Sequence, residues 1–217
     1  MLSVVIPTLN AAHGLANCLE AVADADQIIV VDGGSRDRSV AIANREGVLC
    51  LLAPANRGGQ LHAGAMAAAG DWLLFLHADT ILAPGWRAAV AAHVDTSPSA
   101  AACFVFRLDD AAWQARLIEA AVALRVRMFG LPYGDQGLLI SRALYREVGG
   151  FRTLALMEDV DLVRRIGRRL RVLPITALTS AERWRRDGWF RRSARNLICL
   201  FAYRMGSSPE RIARFYR

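Results

Sequence analysis

Short apolar runs separated by segments of helical spacing fill the first hundred residues, and that alternation constrains the chain more than any other feature. The runs are Leu2–Ile6, Gln27–Val31, Val48–Leu52 and Trp72–Leu76. Between them, Gly14–Ala25 places Leu15, Cys18, Leu19 and Val22 on one helical face. Asp37–Glu46 reads as a second helix closed by Gly47, and Ala-rich Gly59–Ala69 as a third. Strands that are apolar on both faces and alternate with helices predict an α/β fold, with a mostly parallel central sheet covered on both sides. Ligands of such sheets bind beyond the carboxyl ends of the strands. The residues found there are Pro7-Thr8-Leu9-Asn10, Asp32-Gly33-Gly34-Ser35 and His77-Ala78-Asp79-Thr80.

Beyond residue 100 the pattern loosens. Ala101–Leu108 reads as a strand, Ala111–Met128 as a helix, Gly130–Gly137 as a loop and Leu138–Ser141 as a short strand. Val160–Arg169 reads as a helix, Arg171–Pro174 and Thr176–Thr179 as edge strands, and Trp189–Met205 and Pro209–Tyr216 as a helical tail. No repeat or linker composition divides the chain, so residues 1–217 are expected to form one domain. Its parts would be a regular half to about residue 100, a looser half to about 180, and the tail.

Hydrophobic residues are 54% of the chain and charged residues 22%, which supplies a core and excludes disordered and collagen-like classes. The longest apolar stretch, Trp72–Gly85, is broken by His77 and Asp79, so no transmembrane helix is expected. Met1–Pro7 carries neither a basic region nor a cleavage site, so no signal peptide is expected. Cys18, Cys50, Cys103 and Cys199 form no CxxC pair and read as buried thiols of a cytoplasmic protein. Residues 164–217 hold 15 Arg against Glu182, Asp187 and Glu210, a net of +12 in a chain of net +7. The acidic body therefore carries a basic tail, which implies an anionic partner for it.

Four groups could carry chemistry. Asp79 follows a buried strand and, in an extended segment, shares a side with His77, so both can face one cation. The structural alternative is that Asp79 or Thr80 caps a helix near Pro84–Val94. Asp32 before Gly33-Gly34-Ser35 can accept from a base or ribose, or can simply close a tight turn. It matches neither the dinucleotide nor the P-loop pattern. Glu158, Asp159 and Asp161 form the densest acidic cluster. Acids in a first helical turn suit the dipole whatever the function, but one could act as general base with Arg152, Arg164 and Arg165 close enough to tune it. Arg183-Trp184-Arg185-Arg186 suits a diphosphate beside a sugar face, or is a basic helix start with Trp184 packed inside.

With Val4-Val5-Ile6-Pro7-Thr8-Leu9-Asn10, Ile28–Asp32, Asn56-Arg57-Gly58, Gly70-Asp71-Trp72 through His77-Ala78-Asp79, and Gly149-Gly150-Phe151 ahead of Glu158-Asp159-Val160-Asp161-Leu162, the chain resembles family 2 glycosyltransferases of the GT-A fold. The His-Ala-Asp-Thr variant resembles a bacterial subgroup of small, stand-alone members. The resemblance covers roughly residues 1–170. It implies that Asp32 hydrogen-bonds the nucleobase in a pocket lined by Pro7, Thr8 and Asn10, with Arg57 and Ala78 also on the nucleotide. Asp79 matches the last Asp of the DXD motif and would bind the metal. Asp159 matches the base that deprotonates the acceptor, supported by Glu158. Arg183 and Trp184 resemble the pair that closes over the diphosphate or acceptor. Three departures stand out: His77 replaces the first Asp of DXD, Ala11 replaces an acid, and Ser180-Ala181-Glu182 replaces the region of the usual Gln. Imidazole still suits Mn²⁺.

The resemblance thus implies metal-dependent inverting transfer, with Mn²⁺ or Mg²⁺, from a UDP- or GDP-sugar to an acceptor hydroxyl on a lipid-linked or envelope-related molecule. The alternatives are a scaffold that binds nucleotide sugar without turnover and a nucleic-acid-binding protein that stacks bases on Trp184 and Trp189. The second leaves the strand-end acids unused, so no nucleic acid is expected. A nucleotidyltransferase would need a Gly-rich basic loop after the first strand, which Pro7–Ala12 is not. In the tail, Arg191, Arg192, Arg195, Arg211, Arg214 and Arg217 are expected to face outward, toward an anionic membrane, with Leu197–Tyr203 either interfacial or packed on the sheet.

Overall fold

The computed structural model describes residues 1–44 and 47–216. The expected helix end at Glu46, and Arg217, lie outside the described residues. The strands are β1 (Leu2–Thr8), β2 (Gln27–Asp32), β3 (Val48–Leu52), β4 (Trp72–Phe75), β5 (Thr80–Leu82), β6 (Ala101–Leu108), β7 (Leu138–Ser141) and β8 (Leu170–Thr179). The helices are α1 (Ala12–Ala21), α2 (Ser39–Ala43), α3 (Arg57–Ala67), α4 (Trp86–Thr96), α5 (Trp113–Phe129), α6 (Arg142–Glu147), α7 (Glu158–Ile166), α8 (Glu182–Asp187), α9 (Trp189–Arg204) and α10 (Pro209–Tyr216).

One sheet runs β3-β2-β1-β4-β7-β6-β8-β5. Its first four strands are parallel: Val4 pairs with Ile28 on one side and Leu74 on the other. The second half is mixed, because β7 is antiparallel to both β4 and β6 while β6 and β8 are parallel. Every residue of β1 is buried, as a strand covered on both faces requires. One layer packs Val4, Ile6, Val30 and Leu74 under α1 and α4, through Leu15, Cys18, Trp86 and Val90. The opposite layer packs Val5, Val31, Leu73 and Phe75 under α3, α6 and α7, through Leu61, Tyr145 and Leu162.

This connectivity delivers six chain segments to one edge. Thr8 and Asp32 pair at the carboxyl ends of β1 and β2, and β4 ends beside them. The antiparallel β7 starts at that same edge, so the loop before it arrives there. β8 ends there too, with Thr179 paired to Thr80, and α7 points its first turn at the cleft.

Several boundaries differ from expectation. The two edge strands around residue 175 are one strand, β8, held between β6 and β5 over its second half. Pro174 falls where the β6·β8 register shifts between Cys103 and Val105, a site where a missing N–H is tolerated. β5, α6 and α8 are additional elements. Neither Asp79 nor Thr80 caps α4: Gly85 precedes its first turn and Thr80 opens β5. The tail meets the sheet only at its start, where Trp184 and Trp189 pack with Phe106 and Leu108 of β6. Cys199 and Ile212 pack instead on Met157 and Val160 of the α7 start. Arg192 is correspondingly buried rather than outward, donating to Asp187 Oδ2 at 2.8 Å and to Tyr216 Oη at 3.0 Å. Arg195 is half-buried, while Arg191, Arg211 and Arg214 are exposed.

Candidate functional site

The strand ends border a groove of about 340 Å³ that Pro7, Thr8, Asn10, Gln60 and Ala78 line with Arg57, His77, Asp79, Glu158 and Arg183. A second cavity of about 100 Å³ adjoins it, lined by Tyr133, Asp135, Asp159, Trp184, Arg192 and Asn196. Six residues border both: Arg57, His77, Asp79, Leu156, Arg183 and Tyr216. The wall between the chambers thus carries two arginines, an imidazole and a carboxylate.

Asp32 borders neither chamber. It is fully buried, and both carboxylate oxygens are engaged. Oδ1 accepts from Gly34 N at 2.8 Å and Ser35 N at 2.7 Å, and Oδ2 accepts from Thr8 Oγ1 at 3.0 Å and Ser35 Oγ at 2.5 Å. Burial raises this carboxyl, and the bonds from Ser35, Gly34 and Thr8 outweigh it and hold it below its ordinary value. Ser35 Oγ in turn accepts from Asn10 N at 2.8 Å, and Asn10 Oδ1 accepts from Arg36 N at 2.9 Å. Beneath the groove, Gln60 Nε2 donates to Thr8 O and Val31 O, tying β1 to β2.

His77 and Asp79 reach the shared wall by a route other than an extended segment. Thr80 N donates to His77 O at 3.1 Å, so residues 77–80 form a turn, and both side chains still border the same chambers. Burial, then Arg57 and Arg183, hold the His77 imidazole well below its ordinary value. At neutral pH it is uncharged and keeps a lone pair. Among the described residues, no three His, Cys, Asp or Glu side chains come together as a metal cage. A neutral imidazole and one carboxylate nonetheless fit a hard divalent ion whose remaining positions go to phosphate oxygens and water.

Two adjacent carboxylates open α7 and face different partners. Glu158 is buried and ion-paired with Arg57, the first residue of α3. Burial raises its carboxyl and Arg57 opposes that. Asp159 borders the second cavity, its Oδ2 accepting from Gly134 N at 2.8 Å. Asp161 turns away: Arg152 and Arg165 pair with it, not with Glu158 or Asp159. Close approach of α3 to α7 depends on Gly58, where a Cβ would lie 2.2 Å from Arg152 O and 3.2 Å from Glu158 Cβ. The two described non-glycine residues with left-handed backbone, Asn10 (φ 52°) and Met157 (φ 68°), each border one chamber. Such conformations gather at sites where the surroundings hold them.

The second cavity contains side chains that sequence reasoning missed: Tyr133, Asp135, Arg192, Asn196 and Tyr216. Four of its lining residues, Tyr133, Asp135, Trp184 and Arg192, each carry a buried polar atom without a protein partner. Unmet buried polar atoms are uncommon, and these four sit in residues that line one space. Burial pushes the Asp135 carboxyl up to about 6. Trp184 is packed against Phe106, with the Arg192 guanidinium 5.1 Å over its ring, so it offers no free face to a stacked base. Tyr133-Gly134-Asp135 sits in a loop ahead of a short strand. Only the antiparallel insertion of β7 brings it to the cleft.

Comparison with known proteins supplies the family and the fold. The family described as "Glycosyl transferase family 2" matches residues 3–146. Relatives from Mycobacterium bovis and Mycobacterium tuberculosis, each named "PGL/p-HBAD biosynthesis glycosyltransferase", are 37% identical over 100 residues, covering 38% of this chain. The match spans 36% of those relatives' length. Among solved structures, mannosyltransferase PcManGT from Pyrobaculum calidifontis, in complex with GDP-Man and Mn²⁺, is 18% identical with a TM-score of 0.70. It covers 99% of this chain and 67% of that one. Glucosyl-3-phosphoglycerate synthase from M. tuberculosis, in complex with Mn²⁺, UDP and glucosyl-3-phosphoglycerate, is 19% identical with a TM-score of 0.58, covering 81% and 70%. At these identities the likeness establishes the shared GT-A fold.

Proposed function

The chain belongs to glycosyl transferase family 2, and from that premise we propose that it transfers a sugar from a UDP- or GDP-sugar to an acceptor hydroxyl, with inversion and with a divalent cation. The observation that carries this reading is the shared wall of Arg57, His77, Asp79 and Arg183 between two chambers, with Asp159 in the farther one. A nucleoside in the first chamber, against Pro7, Thr8, Asn10 and Ala78, sets its diphosphate at that wall and its sugar in the second. Arg57 and Arg183 bind the diphosphate and oppose its growing charge as the glycosidic bond breaks. His77 and Asp79 would hold Mn²⁺ or Mg²⁺, which supplies further positive charge to the leaving group when bound. Asp159 takes the proton of the acceptor hydroxyl, and Glu158 keeps Arg57 in place. Trp184 bounds the acceptor's space.

For Asp32, the base-binding role requires one Ser35 bond to open. Otherwise it acts through Ser35, which positions Asn10. The Mn²⁺ and nucleotide sugars bound by the solved neighbours support the donor class. The mycobacterial relatives are named glycosyltransferases, which supports the transfer reading.

The test is thermal shift with UDP and GDP in Mn²⁺, Mg²⁺ or EDTA, followed by release of nucleotide from the matching nucleotide sugars. Stabilisation should need the cation and disappear in Asp79→Ala. Equal stabilisation in EDTA removes the metal from the reading. Tight donor binding with no release or transfer, across acceptors, makes the protein a binder and not an enzyme.

A further inference from the structure

Two helices present apolar stripes to solvent on the outer side of the second cavity. On α5, Trp113, Leu117, Leu124 and Met128 follow helical spacing and are each at least half exposed. On α9, Phe190, Leu197, Ile198 and Phe201 do the same, and Met205, just past its last turn, is exposed as well. The stripes meet where the Trp113 and Phe190 rings lie 6.0 Å apart. Phe215 of α10 is also exposed. Scattered exposed apolar residues are ordinary, but a set this large on adjoining elements marks an interaction surface.

The charges around the stripes select the partner. Arg127, Arg191, Arg204, Arg211 and Arg214 are exposed on these three helices. α9 contains no acid, and the one acid of α5, Glu119, is buried against Arg107 and Arg116. Glu210 of α10 is the remaining carboxylate. A second copy of this face would oppose arginine to arginine. Apolar side chains flanked by arginines, with almost no acid, match an anionic lipid surface, where headgroups meet the guanidinium groups and acyl chains receive the stripe.

We propose that the outer face of α5, α9 and α10 docks the protein on an anionic bilayer, with the apolar stripes at the headgroup boundary and the arginines on the lipid charges. The face is the reverse side of a catalytic wall: on α9, Arg192 and Asn196 border the cavity while Leu197, Ile198 and Phe201 point outward. Docking therefore sets the second cavity beside the membrane. The proposal stands on this surface and not on the sugar-transfer reading.

The experiment is co-sedimentation of the intact protein with vesicles of phosphatidylcholine alone or with about a third phosphatidylglycerol, without nucleotide. Binding should rise at least tenfold with anionic lipid and fall as salt shortens the Debye length. The pair Arg191→Gln/Arg204→Gln should weaken binding about thirtyfold, from two cations near the surface. The pair Leu197→Ser/Phe201→Ser, equally exposed and expected to melt like the parent, should weaken it at high salt as well. Indifference to lipid charge, or no binding to either vesicle, overturns the proposal. So does a concentration-dependent dimer in light scattering that the serine pair abolishes, because the face would then be a self-interface.

Discussion

Glu158 and Asp159 are neighbours in sequence and opposites in environment. The first is sealed against Arg57, while the second borders the second cavity and accepts from Gly134 N through Oδ2 and from Val160 N through Oδ1. A group held in a buried ion pair cannot exchange a proton without leaving an unpaired guanidinium, so Asp159 is the carboxylate we propose as the base. Asp159→Asn should lower transfer by about 10²–10⁴-fold while donor affinity holds. Glu158→Gln should instead raise the donor KM, since Arg57 loses its anchor. Steady-state kinetics on both variants decides this, and a crippled Glu158→Gln beside a near-normal Asp159→Asn would exchange the roles. Gly134 tests the other side of the site. A Cβ there would lie 2.5 Å from His77 Nε2, so Gly134→Ala must displace either the loop or the imidazole. Calorimetric titration should show nucleotide affinity in Mn²⁺ falling while the melting temperature moves little. Unchanged affinity would show that the loop gives way, and unchanged affinity in His77→Ala as well would remove His77 from the cation site.

Elements explain why part of this was legible from sequence and part was not. The four parallel strands announce themselves as apolar runs because each is covered on both faces, and their carboxyl ends follow directly from that. Pro7, Thr8, Asn10, Ala78 and Asp79 are therefore readable in advance. Tyr133, Asp135 and Tyr216 are not, because their place depends on β7 entering the sheet antiparallel and on α10 folding back over α7. Both are long-range choices with no local signature. Asp32 shows the converse: a strand-end carboxylate before Gly-Gly has the pattern of a ligand contact, yet its oxygens are spent on its own turn. The α8–α9 junction carries a testable charge device. Asp187 accepts from Arg186 Nε at 2.8 Å and Arg192 Nη1 at 2.8 Å. The bond from Arg186, then that from Arg192, bring its carboxyl down to about 2. A depressed carboxyl contributes stability above its unfolded value of 3.8, and the contribution is lost as pH falls through about 2. The stability gap between the parent and Asp187→Asn should therefore be full at pH 5 and close toward pH 2. A gap constant across that range in thermal melts would show that Asp187 acts through packing alone.

At the scale of the whole molecule, the basic tail is a wall before it is anything else. α9 and α10 seat Cys199 and Ile212 on Met157 and Val160, and Tyr216 from the last turn borders both chambers. An eight-residue helix has little stability of its own, so α10 stays in place through what it buries. Ile212 is its one buried residue, and Ile212→Ala should cost its seat about 2–4 kcal/mol, from lost burial plus the void left behind. The sheet core contains neither residue, so the main melting transition should hold. Three changes should arrive together. Arg192 loses the Tyr216 hydroxyl at 3.0 Å, the second cavity opens to solvent, and Cys199 becomes accessible. Burial raises the Cys199 thiol in the closed protein, which keeps it unreactive. Labelling with a thiol reagent should then modify Cys199 many times faster in Ile212→Ala than in the parent, alongside a fall in turnover that exceeds the loss of nucleotide binding. Tyr216→Phe, which keeps the helix seated and removes only the hydroxyl, should leave Cys199 protected. If Cys199 stays unreactive in Ile212→Ala and turnover is unchanged, α10 does not close the site.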